Sequence, residues 1–318
     1  MRRQRLRTYA MLLSLLAIWT LFAVATDGVF LSPRNLLNLT RQASVTAILA
    51  VGMVVIIISG NIDLSVGSMA GFLGAALALV HGEFGAPAIV TAVAVVLLGA
   101  GLGCCHGLLV AYQRVPAFIV TLGGLMVYRG GMLAVTQGET IPLPAGSWLK
   151  ALGNGSFPAV RWGVPTPLLL VAGLSVTMWL VVARMRYGRH VHAVGGNTEA
   201  AFLSGIHTRR VVVVAFAMMG ALAAVGGAVL TARVGSASPE AGRLLELDAI
   251  AACVIGGASL MGGRGSIPGA LLGALVMESL NNGMSLANMG PFWQDIVKGC
   301  VLVLAVWFDM RVRAQQSD

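Results

Sequence analysis

The stretch Ser59-Gly60-Asn61-Ile62-Asp63-Leu64-Ser65-Val66-Gly67-Ser68-Met69 decides how this chain is read, because it sets a carboxylate and several hydrogen-bonding side chains inside a long apolar run. An Asp at the centre of a membrane helix costs roughly 2.5–3.5 kcal/mol on insertion scales, so such a residue faces a polar pathway, a helix break or a partner rather than lipid. A chain that carries it there reads as a transporter. Asn61, Asp63, Ser65 and Ser68 are therefore candidates for lining or shaping a path; each could instead satisfy the backbone of a broken helix.

Composition places the rest of the chain in the same class. Of 318 residues, 57% are hydrophobic and only 10% charged, with a mean hydropathy of +0.86. At about 20 apolar residues per span, an all-α, polytopic membrane protein of about ten transmembrane helices is predicted. The segments are 9–26, 43–60, 64–82, 87–112, 116–136, 165–183, 211–232, 248–263, 267–283 and 292–308. The first follows Arg2, Arg3, Arg5 and Arg7 but lacks a small-residue cleavage site, so it is kept as a spanning helix rather than a signal peptide.

The net charge of +9 does not point to nucleic acid, because no basic surface is interleaved with stacking aromatics. The positive-inside rule accounts for it. With the amino terminus in the cytoplasm, Arg114, Arg184, Arg186, Arg189, Arg209, Arg210, Arg311 and Arg313 join the terminal cluster inside. An even helix count returns the C-terminus to the same side. Outside fall Arg34, Arg41, Lys150, Arg161, Arg233 and Arg243, offset by Asp27, Glu83, Glu139 and Glu240. Cys104, Cys105, Cys253 and Cys300 all lie in apolar stretches and read as small packing residues. His106 beside the first pair invites a metal reading, but adjacent cysteines point to different helix faces and close no ligand set.

One membrane domain, 1–318, is expected, with two hydrophilic interruptions. Residues 137–164 are rich in Gly, Pro and Ser and fall outside, with a short helix around Trp148–Leu152. Residues 184–210 fall inside. There Asn197 can cap, Glu199 sits in a first turn and Gly205 can end a helix in the left-handed region, which predicts a short helix at about 198–204. Ala200, Ala201 and Ser204 on its face would let a partner approach closely.

Glycines at four-residue spacing, Gly67 and Gly71, Gly99, Gly103 and Gly107, and Gly269 and Gly273, mark close helix packing. A second polar, glycine-broken stretch runs through Glu246 and Asp248 to Gly256–Ser266. Broken stretches in both halves point to an inverted repeat with a pathway at its interface. Asn281 and Asn282 add candidates for that path. Glu278, Gln294, Asp295 and Lys298 add further polarity to the last two helices, and Asp295 and Lys298 are spaced for an ion pair on one helix. Arg129, near one end of its helix, is placed to snorkel.

The set AVGMVVIIISGNIDLSVGSM at 50–69, VPAFIVTLGG at 115–124, GRHVHAVGGNTEAAFLSGI at 188–206 and ELDAIAACVIGGASLMGGRGS at 246–266 resembles the permease subunit of bacterial ABC monosaccharide importers, the ribose, xylose, galactose and arabinose group. Residues 26–42 and 281–310 are most similar to xylose-type permeases. The resemblance implies the ABC importer permease fold in the bacterial inner membrane, with both termini cytoplasmic. It implies a second permease protomer forming a homodimer, a separate ATP-binding cassette subunit that uses ATP, and a periplasmic sugar-binding protein. The 184–210 loop would dock on the ATPase through Gly196, Asn197, Glu199, Ala200, Ala201, Ser204 and Gly205. The sugar would be D-xylose or another aldopentose, with ribose or galactose as alternatives. The residues agree on one point independently: without a GxxxxGK[ST] phosphate loop, ATP chemistry must come from another subunit. The chain is expected to bind no cofactor or metal and to be no enzyme. The rival class is an ion-coupled secondary transporter using Asp63, Glu278 and Asp295.

Overall fold

The computed structural model describes residues 2–157 and 163–317. Arg161 lies outside the described residues, as do the side chains of Arg2, Arg3, Arg5, Arg7 and Arg313. Thirteen α-helices occur among the described residues: α1 Arg2–Ala25, α2 Pro33–Ile58, α3 Val66–Gly82, α4 Ala88–Ala111, α5 Ala117–Thr136, α6 Leu149–Asn154, α7 Thr166–Ala183, α8 Arg186–Gly196, α9 Thr198–Leu203, α10 Thr208–Val234, α11 Leu245–Ile255, α12 Ile267–Leu286 and α13 Pro291–Ser317. Each of the ten expected segments contains a helix. Five, α2, α4, α5, α7 and α10, are long and apolar enough to cross a membrane.

The boundaries show what the sequence reading weighed wrongly. α2 begins ten residues before position 43, because Pro33 fits the first turn and the Ser32 hydroxyl accepts from the Asn35 N–H at 3.3 Å. Arg41 and Gln42 therefore lie inside a helix rather than before one. The segment expected at 248–263 is helical only over α11, whose 11 residues cover about 16 Å and fall short of a span. Gly257, Gly262 and Gly263 all have positive φ, so the chain after Ile255 leaves the helix in tight turns.

α2 is the central post. In its apolar window 89% of residues are buried, against 28% for α4, α5 and α7, which present their leucines and valines outward. α10 packs antiparallel to α4 through the glycines: Gly99 faces Gly220, Gly103 faces Phe216 and Gly107 faces Val213, backbone against backbone. α3 runs parallel to α10, with Ala70 against Gly227 and Gly74 against Thr231. Counting back from Ala70, α3 starts level with the middle of α10. Beyond Val234 the chain turns back, so that Ala241 lies on Gly71, and Gly242 and Glu246 lie on Gly67. α11 therefore begins near the depth at which α3 begins.

Two small antiparallel bridges cover one end of the bundle. β1 (Ile141–Pro142) pairs with β4 (Ser236–Ala237), Ile141 opposite Ala237; β2 (Ser156–Phe157) pairs with β3 (Val164–Pro165), Ser156 opposite Pro165. α6, the expected short helix of the 137–164 segment, sits at this end, and α8 and α9 sit at the other. Of the cysteines, only Cys253 is buried, its thiol donating to the Ala50 carbonyl at 3.3 Å; Cys105 and Cys300 are exposed, so they do not serve as core packing.

Candidate functional site

The α2–α3 break is built by local hydrogen bonds. Ser59 donates back to the Ile56 carbonyl at 2.7 Å, Gly60 takes φ +82°, and the Asn61 amide donates to Ser59 Oγ at 3.0 Å. Asp63 Oδ1 then accepts from the Ser65 N–H at 2.8 Å and the Ser65 hydroxyl at 2.6 Å. This turn places a buried carboxylate at the N-terminus of α3, where the exposed N–H groups and the helix dipole favour negative charge.

Two residues that the sequence reading did not select complete the cluster. Tyr128 Oη and His106 Nε2 are hydrogen-bonded at 2.9 Å, linking α5 to α4. Gly124 leaves the space in which the His106 ring and the Ser65 Cβ approach its backbone. Tyr128 stacks on Phe72 with centroids 6.1 Å apart, and buried His106 Nδ1 has no hydrogen-bond partner. The only hint in sequence was a lone histidine and a lone tyrosine on otherwise apolar helices. No three His, Cys, Asp or Glu side chains converge as a metal site needs among the described residues.

Asn281 and Asn282 do not join this cluster. Asn282 Oδ1 accepts from Asn35 Nδ2 at 2.8 Å and its own amide donates to Gln42 Oε1 at 3.3 Å, clipping α12 to the first turns of α2. Asp63 follows the opposite end of α2. Asn281 is half-buried, with its Oδ1 unpartnered. Ser68 is buried on α3. Of the remaining buried acids, Glu278 Oε1 accepts from the Thr46 hydroxyl at 2.5 Å, whereas Glu246, in the first turn of α11, packs against Gly67 with its Oε2 unpartnered. Lys298 is not paired with Asp295. Its ammonium reaches Asp248 on α11 at 3.0 Å, leaving Asp295 exposed. A buried carboxylate has far more to gain from a counter-charge than a solvated one, and this outweighs the sequence-local spacing. Arg129 reaches out to Glu240 at 2.7 Å and so ties α5 to the segment between α10 and α11.

At the α9 end, Asn197 Oδ1 accepts from the Ala200 N–H at 2.9 Å, Glu199 occupies the first turn, and Gly205 follows with φ +83°. The expected short helix is thus capped as its residues require. Gly196, Asn197, Glu199, Ala200, Ser204 and Gly205 are exposed, whereas Ala201 is buried against its own chain. Phe202 and Leu203 are 67% and 79% exposed and enlarge the surface that the small residues mark.

The two ends of this arrangement meet in backbone contacts. α8, which the sequence reading did not separate from its loop, ends with Gly195 against the Ile58 carbonyl, the last residue of α2. That same carbonyl accepts from the Gly263 N–H at 2.8 Å, and His192 Nδ1 lies 3.1 Å from the Gly263 carbonyl oxygen. The glycine turns of both polar breaks, at Gly60 and at Gly262–Gly263, therefore close on the end of α8, one residue before the capped α9.

Residues 35–306 match a protein-family model described as branched-chain amino acid transport system / permease component. The xylose transport system permease protein XylH of Escherichia coli is 41% identical, the alignment covering 96% of this chain and 92% of that protein. The protein of the same description in Haemophilus influenzae is 40% identical, covering 96% of each. The ribose import permease protein RbsC of Escherichia coli is 40% identical, covering 93% and 92%. The alignment to the Escherichia coli xylose protein runs over 360 positions, more than the 318 residues here, so that relative carries residues without a counterpart in this chain. No solved structure matches.

Proposed function

The chain belongs to this permease family, and from that premise we propose that it is the membrane subunit of an ATP-driven importer that moves a monosaccharide, D-xylose before other aldopentoses, into the cytoplasm. The observation that carries the mechanism is the contact of Gly195 with the Ile58 carbonyl. A push on α9 reaches α8, and α8 bears on the backbone that leads through Gly60 directly to Asp63. An ATP-binding subunit docking on Phe202, Leu203 and the exposed small residues of α9 can therefore move both glycine breaks together.

In this reading the whole chain is one membrane domain of ten spanning segments, α11 being completed by the non-helical residues that follow it. Both termini and the 184–210 segment are cytoplasmic; the 137–164 segment faces a periplasmic sugar-binding protein. Two copies enclose the path. The α2–break–α3 and α10–break–α11 units run in opposite senses, each with a second helix starting at mid-depth, which supports the inverted repeat. A neutral sugar needs hydroxyl partners rather than a counter-charge, so Asn61, Asp63, Ser65, Ser68, Asn281 and Asn282 remain the candidates for lining or shaping the path. Asp63 and Ser65, now joined by His106 and Tyr128, form its best-defined group. Ribose is the second substrate reading, favoured by the ribose relative's alignment of 299 positions, which needs no long insertion.

Reconstitution with the partner ATPase and binding protein in liposomes tests the function. Labelled xylose is expected to accumulate only with ATP, and in preference to ribose and galactose. Accumulation that ignores ATP but collapses with a protonophore would instead make the chain an ion-coupled transporter. Within the same assay, Asp63→Ala is expected to lower uptake at least tenfold in a complex that assembles normally, because both Ser65 bonds at the start of α3 are lost. Asp63→Asn keeps an acceptor and is expected to retain part of the rate. Unchanged uptake by Asp63→Ala would remove this cluster from the path.

A further inference from the structure

A cleft of about 810 Å³ opens beside α9, between the end of α4 and the start of α10; it shares Glu199 and Phe202 with the proposed docking surface, but its arginines have no part in the transport reading. Its walls carry Arg114, Arg209 and Arg210, against one acid, Glu199. None of the three guanidiniums is in an ion pair among the described residues. Arg209 lies over the Tyr112 ring, 5.4 Å from its centroid, which holds this guanidinium at the cleft.

The surroundings change character within one helical turn. Leu108 lies on α4 four residues before Tyr112, and Val214 lies on α10 four residues after Arg210, where it lines the adjoining cleft that shares Arg210; they are 45% and 43% exposed. A basic mouth thus continues into an apolar wall on helices that face lipid. That profile fits a molecule with an anionic head and hydrocarbon tails, and basic pockets between membrane helices take such headgroups. Guanidinium groups match phosphate oxygens through paired N–H donors.

We propose that this cleft binds the phosphodiester headgroup of an anionic phospholipid, its acyl chains lying along Leu108 and Val214. Bound there, the lipid bridges the end of α4, α9 and the start of α10, and so braces the helix on which the ATPase is proposed to dock. The binding claim needs no transport activity and stands or falls separately from it.

Native mass spectrometry of the full chain in detergent, with phosphatidylglycerol or phosphatidylcholine of identical acyl chains, gives the test. One phosphatidylglycerol is expected to be retained at least tenfold better than phosphatidylcholine. The preference is expected to vanish in Arg114→Gln/Arg209→Gln/Arg210→Gln and to survive in Arg184→Gln/Arg186→Gln/Arg189→Gln, which removes as many charges from an exposed surface outside the cleft. Arg114→Lys/Arg209→Lys/Arg210→Lys guards against misfolding and is expected to keep at least a third of the preference. Equal retention of the two lipids, or a preference unmoved by the triple Gln variant, overturns the proposal and leaves the cleft to a protein partner. Displacement of the lipid by millimolar inorganic phosphate would show a phosphate-ion site instead.

Discussion

Gly195→Val is expected to lower ATP-driven sugar uptake more than tenfold while the protein still inserts and is recovered from the membrane. A Cβ at this position would overlap the Ile58 carbonyl oxygen, with the Gly263 backbone nitrogen 2.8 Å away. Both obstacles are main chain, so no side-chain rotation relieves them; α8 itself must move. Its displacement would separate the glycine turns that now share the Ile58 carbonyl and would stretch the His192 contact with Gly263. The spanning helices do not depend on that contact, because their packing lies elsewhere, in pairs such as Gly99 with Gly220. Gly173→Ala is the control: a Cβ there meets nothing within 4 Å, and alanine in a helix interior is favoured by roughly 1 kcal/mol over glycine. ATP hydrolysis that continues in Gly195→Val without sugar movement would place the defect in transmission. Uptake at the rate of the unsubstituted protein would show that α8 does not act through this contact.

The α9 segment was legible because every device that shapes it is local. Asn197, Glu199 and Gly205 act within one or two turns of themselves, and the structure shows the cap, the first-turn acid and the left-handed exit at those residues. The polar break at 59–65 was legible for the same reason: Asp63 bonds to a residue two positions away. What failed depended on partners far along the chain. Nothing around residue 242 says that the chain folds back onto Gly67, so the start of α11 was placed too late and its end too far on. His106 and Tyr128 gain meaning only from each other, 22 residues apart on different helices. Ala201 looks like its small neighbours in sequence, and only the angle at which α9 rests on the bundle turns it inward. The glycine spacings fall between these cases. They announced close packing correctly, yet the identity of the opposing backbone was beyond them.

Lys298 is the clearest instance of a residue whose partner is not its neighbour, and its removal is expected to have a large effect. Its ammonium lies 3.0 Å from Asp248, with the two side chains 18% and 3% exposed. Asp248 Oδ1 has no hydrogen-bond partner, and the lysine ammonium is the counter-charge that compensates that carboxylate. Breaking a buried pair by deleting one member costs roughly 3–5 kcal/mol, because the other charge is left uncompensated. Lys298→Met should therefore depress the apparent melting temperature of the purified chain by on the order of 10 °C. Its apolar side chain still fills the space of the lysine stem, so lost packing contributes little. The double variant Asp248→Asn/Lys298→Met removes both charges together and is expected to recover most of that loss, since a buried pair replaced by neutral groups of similar size is often no less stable. Thermal unfolding of the two single variants and the double closes the cycle. A Lys298→Met protein that melts with the unsubstituted one would show the pair to be energetically idle. A double variant as unstable as the single would show that α13 depends on the lysine itself, through Asp295 or the end of the bundle, rather than on the charge it brings to Asp248.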